Sequence, residues 1–119
     1  MEDFILREID RIGELLMQVA RRLGLLKGEA PVYTIADVKE EFATAGVPID
    51  LDAILKQENP VWYLIHEAKL SDRGLETFID IVYHSDVDDS VKEALLDDAL
   101  VYLEGKGNYS IKLYSLKTL

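Results

Sequence analysis

The stretch "EDFILREIDRIGELLMQVARRLGLL", residues 2–26, restricts the fold more than any other part of the chain. Ile5, Ile9, Ile12, Leu16, Val19, Leu23 and Leu26 recur at spacings alternating between four and three. That rhythm puts them on one face of an α-helix. Leu6, Leu15, Met17 and Ala20 widen the stripe beyond a narrow seam, as in a helix packed on a core. Acids in the early turns and Arg21-Arg22 near the end suit the helix macrodipole, and Lys27-Gly28 supplies a stop. Burying each large aliphatic stabilises by about 1.5–3 kcal/mol, so the stripe must be covered, either by the chain's own domain or by a second chain. The connector 27–33 contains two breakers, Gly28 and Pro31, and permits both arrangements. Packing in cis is one expectation; a homodimer paired through Ile5, Ile9, Ile12 and Leu16 is the other.

Further helices follow from start and stop signals. Thr34, with Asp37 three residues on, opens a second helix carrying Ile35, Val38 and Phe42, which Gly46 and Pro48 end. A short third starts near Asp50 with Leu51, Ile54 and Leu55. Asn59-Pro60 interrupts it and restarts the chain, because asparagine caps well and proline suits the first helical position. "VWYLIHEAKL" then predicts a mostly buried fourth helix. Ser71 caps a fifth, with Leu75, Phe78, Ile79 and Val82 on one face. A sixth runs from about Asp88 to Glu104 before Gly105 and Gly107. In the last stretch Tyr109, Ile111 and Leu113 alternate like a strand, yet Ser110 is equally placed to cap a helix over Ile111, Tyr114 and Leu116. Helix is preferred, since nothing else offers a strand to pair with it. The expected fold is therefore all-α, a single domain over 1–119 of about six or seven antiparallel helices led by a long amphipathic one over 1–28.

A shift of 37 residues lays Thr34 over Ser71, Val38 over Leu75 and Phe42 over Ile79. With this spacing and the run "ALVYLE", residues 34–104 resemble tetratricopeptide-type helical hairpins in architecture, without that family's Trp-Leu-Gly-Tyr pattern. The resemblance implies protein or peptide binding and no catalysis.

Charge narrows the partners. The net charge is −10, and it is unevenly spread. Residues 1–28 balance five acids with five bases, residues 29–105 hold eighteen acids against five bases, and the last fourteen carry three lysines and no acid. Such a surface argues against nucleic acid as a partner, because phosphates must be neutralised by Lys and Arg. No apolar run reaches the roughly 18–20 residues a membrane span needs, and the acidic start is unlike a signal peptide. A soluble cytoplasmic protein is the default. The lack of cysteine excludes disulfides and thiolate sites.

The most chemical-looking stretch is "YHSDVDDS", residues 83–90. Asp86, Asp88 and Ser90 alternate like the first ligands of a calcium loop, with Asp97 at the twelfth place. Val91, however, occupies the place where such a loop turns on glycine. A helix N-cap with an acidic first turn needs the same residue types and is the preferred reading. His84 is within reach of Asp86. His66-Glu67 starts like a zinc-protease signature, but Leu70 stands where the second histidine belongs. "GKGN" lacks the spacing of a phosphate loop, and no serine has a nucleophile-elbow context. No cofactor or metal is predicted, and an enzyme site built on His66, His84 and Asp86 is the rival reading. The favoured one is a protein-interaction module whose partner is a protein, a peptide or a second copy. "PVWYLIHE", with Trp62, Tyr63 and His66, is its expected groove-lining segment. A third reading has an acidic surface of Asp37, Glu40, Glu41, Asp97 and Asp98 holding a basic partner.

Overall fold

In a computed structural model the described residues are 10–25 and 33–118. They form seven helices: α1 (Arg11–Arg22), α2 (Ile35–Ala45), α3 (Leu51–Leu55), α4 (Pro60–His66), α5 (Asp72–Tyr83), α6 (Asp89–Gly105) and α7 (Ile111–Lys117). No strand occurs among the described residues. Five of the expected caps act as such, while Asp88, ahead of α6, makes no side-chain capping hydrogen bond. Thr34 and Asp37 close a reciprocal capping box, and the side chains of Asp50, Asn59, Ser71 and Ser110 each accept a backbone N–H of the first turn that follows. The last stretch is thereby a helix, anchored by Leu113 and Leu116 in the core.

α5 is the hub. It packs against α1, α2, α4, α6 and α7, and Leu75, Phe78, Ile79, Ile81 and Val82 are all essentially inaccessible to solvent. α1 lies along it, and contacts between the two follow the same chain order. Asp10 meets Ser71, the Gly13 backbone meets Gly74, and Met17 meets Thr77. These two helices therefore run in the same direction, where antiparallel neighbours are expected. Short links force antiparallel pairing, but α2, α3 and α4 intervene between α1 and α5, enough chain to bring it back. The radius of gyration, 13.6 Å, matches the roughly 13.5 Å of a compact chain this long.

Three helix ends differ from their predicted places: α1 begins at Arg11, with Asp10 in the N-cap position, inside the stretch expected to be one helix over 1–28. α1 stops at Arg22, because Gly24 takes a left-handed φ of 87° and closes the helix before Lys27-Gly28. α4 stops at His66, and residues 67–70 fold back so that Leu70 N–H reaches the Leu64 carbonyl. Lys69 is left-handed in that turn, φ 60°, and the reward is a buried Leu70. Of the N-terminal stripe, Leu16 and Val19 are fully buried in the chain's own core and Ile12 is half-buried. Leu16 is thus spent against α5 rather than offered to a partner; Ile5, Ile9 and Leu26 lie outside the described residues. No helix among the described residues is long and apolar enough to cross a membrane.

Candidate functional site

α4 is short and two-sided. Asn59 Oδ1 accepts from Trp62 N–H at 3.2 Å, and Pro60 starts the helix. Val61 and Leu64 then point into the core. Trp62 and His66, one turn apart, share the outer face, their ring centroids 4.6 Å apart. Across from them α6 presents Asp98, Val101 and Tyr102, so that the two helices wall an open groove of about 200 Å³. Trp62 is 51% exposed and Val101 70%, both high for apolar side chains of this size. Beyond Pro60 a second hollow lies along α6, over Ser90, Val91 and Ala94, with Asp98 lining both.

The groove is lined by Trp62 and His66 of the expected segment, and α4, expected to be mostly buried, is half open. Tyr63 is elsewhere. Adjacent helix positions do not share a face, and Tyr63 lines a separate hollow with Ile49, Ala53 and Ile54. Val101 belongs to the groove and had no sequence signal beyond lying one turn from Asp97 and Asp98 on a helix whose buried face is Leu96, Leu100 and Leu103.

The histidine–aspartate stretch divides among structural duties. His84 Nδ1 lies 2.9 Å from the Asp80 carbonyl and 3.2 Å from its carboxylate, so its partner is Asp80, one turn back, and not Asp86. Asp86 instead accepts the Ile35 N–H at 2.8 Å, tying the α5–α6 link to the start of α2. Asp88 occupies the N-cap position of α6, yet its side chain makes no capping hydrogen bond. Asp97 pairs with Lys117 at 2.8 Å. Among the described residues no group of three or more His, Asp or Glu side chains is placed to hold a metal. His66 and His84 lie in different surroundings, the first on the groove and the second at the end of α5 against Asp80 and Tyr83. Glu41 pairs with Arg22; Glu40 and Glu41 belong to α2, and Asp97 and Asp98 to α6.

Asp80, absent from the sequence-level candidates, has the least exposed carboxylate among the ion pairs of the described residues. Its side chain is 13% exposed, with His84 on one oxygen and Lys112 of α7 at 3.9 Å from the other. The hydrogen bond to Asp80 holds the His84 imidazole above its ordinary pKa, against the opposing pull of burial. Nearby, the buried Tyr33 hydroxyl donates to the Ile81 carbonyl at 2.6 Å; burial, and then the Asp80 charge, push the Tyr33 phenol upward. Two of these contacts link elements: Tyr33 to α5, and α5 to α7. The aspartate–histidine spacing of four on a helix was the signal that would have found the pair.

A second exposed apolar patch lies at the start of α7, where Tyr109 and Tyr114 stack at 4.7 Å and 13° beside Ile111. It has one helix for a floor and no facing wall of its own, whereas the α4–α6 groove has two. No protein-family model, curated protein or solved structure matches this chain.

Proposed function

We propose that the protein is a small helical interaction module that holds a protein or peptide partner in the α4–α6 groove. One observation carries this reading: Trp62 and Val101 face a common groove with half or more of their surface in water. Tryptophan concentrates binding energy where it is anchored in a pocket. Covering the open half of one such ring, about 100 Å², is worth roughly 2–3 kcal/mol. Support also comes from α1. Ile12 and Leu16 are engaged inside the chain, which weighs against assembly through that part of the stripe and in favour of the groove.

The test is site-specific photocrosslinking in cells. A photoreactive phenylalanine in place of Val101 is expected to give discrete protein adducts. The same probe in place of the exposed Glu40, on α2, is expected to give none of them. Identical adduct patterns at both positions would remove the groove from the reading.

A further inference from the structure

We infer that the occupant of the groove is a basic amphipathic helix. The inference rests on the interaction reading above and adds the chemistry of the partner. Its first support is shape. The two hollows, about 200 and 230 Å³, both border Asp98 and together line α6 from Ser90 to Tyr102. Twelve residue steps of helix span about 18 Å, room for about three turns of a helix laid alongside, which would present anchors at i, i+3, i+4 and i+7. Trp62 and Val101 supply the apolar contact at one end. Ala94, small and exposed, lets a backbone come close at the other.

Charge decides what flanks those anchors. The groove is walled by Glu58 and Asp98, and neither joins an ion pair among the described residues. α4 carries no Lys or Arg. α6 carries one lysine, Lys92, which lies over the Tyr83 ring. Lys106, next to Tyr102, is bound to Asp72 at 2.8 Å. The linings of the two hollows hold two carboxylates and no Lys or Arg, so a partner with Lys or Arg beside its apolar stripe meets carboxylates there. The same charge disfavours other occupants. A second copy brings −10 to a chain of −10, and the lysines of its C-terminal part are engaged at home with Asp72, Asp80 and Asp97. Anionic headgroups and nucleic acid phosphates are repelled for the same reason.

The experiment uses the full chain and four synthetic peptides of equal length. One is a leucine–lysine amphipathic helix; two are analogues with every Lys replaced by Gln or by Glu; the fourth has the leucine–lysine composition scrambled. Trp62 is the only tryptophan, so its emission reports occupancy directly, and labelled-peptide anisotropy gives the affinity. The leucine–lysine helix is expected to bind with a blue shift of Trp62. The Gln analogue is expected to bind roughly tenfold more weakly and the Glu analogue not at all. D98K is expected to weaken binding about fivefold or more, while E40K, the same charge change on α2, leaves it within twofold.

Equal binding of the Lys and Gln peptides would overturn the basic partner and leave the groove standing. So would four silent peptides alongside discrete crosslinks at Val101. Equal loss in D98K and E40K would reduce the effect to net charge, and a scrambled peptide that binds as well would remove the helix. A mass that doubles by sedimentation and reverts in W62S would replace the peptide with a second copy.

Discussion

One chemical change, glycine to alanine, is expected to have three different outcomes in this fold. At Gly105, in the last turn of α6, an added Cβ meets nothing within 4 Å. G105A therefore collects the helix-propensity difference, up to about 1 kcal/mol of stabilisation. At Gly74 the methyl would stand 3.3 Å from Ser71 Oγ, 3.4 Å from the Gly13 Cα and 3.5 Å from a Leu70 methyl. Gly13 is backbone of another helix and yields only if α1 moves off α5. Propensity gain and crowding then nearly cancel, and G74A is expected within about 0.5 kcal/mol of the parent. G74V drives two further methyls into the same crossing and is expected to cost about 2–3 kcal/mol. At Gly46 the φ of +78° is left-handed, so G46A is expected to cost about 1–2 kcal/mol despite open space around it. Urea unfolding followed by circular dichroism reads all four, midpoints being comparable where the slope is unchanged. A G74V protein as stable as G105A would refute the close crossing of α1 and α5, and with it the placement of α1 in the core.

Three further outcomes follow from the polar joints and the C-terminal helix. Y33F removes the buried donor that satisfies the Ile81 carbonyl at the end of α5, at a cost of about 1–2 kcal/mol; an unchanged urea midpoint would show the bond is not formed. The folded pKa of His84 is raised, so its contribution is complete below the unfolded value near 6.5 and is lost as pH climbs through the folded one. The stability gap between parent and H84Q is accordingly expected to narrow as pH rises above about 6.5, and a gap independent of pH would contradict the Asp80 pairing. L113A empties a fully buried site on α7 and is expected to cost about 2–5 kcal/mol. I111A, at a side chain 74% exposed, is expected within about 0.5 kcal/mol of the parent. Equal effects of the two would detach α7 from the core.

The helices were legible where local chemistry settles them. Thr34, Asn59, Ser71 and Ser110 act through atoms three residues away, and the 37-residue offset pairs two of those caps and puts Val38 and Leu75 in equivalent buried places. Ser110 even decided the last segment, whose alternation alone was ambiguous. What stayed hidden depends on neighbours distant in sequence. Nothing in "HEAKL" signals that Leu70 is worth a left-handed lysine, because its reward is a core built by other helices. Gly74 reads as a mildly unfavourable helix residue until Gly13 is set against it. Trp62 and Tyr63 read alike as adjacent aromatics, yet α4 turns one to the groove and the other toward Ile49 and Ile54. Asp80 was invisible among eighteen acids of the middle segment, since its weight comes from burial and from a lysine thirty-two residues on.

The binding face is tested most directly by an amide chemical-shift map of the isotope-labelled full chain, titrated with the leucine–lysine helix. The largest shifts are expected on both walls of the groove, at Trp62 and His66 of α4 and at Ala94, Asp98 and Val101 of α6, with α2 unmoved. Shifts centred on Tyr109, Ile111 and Tyr114, with α4 and α6 silent, would place binding on the other apolar patch and contradict the assignment.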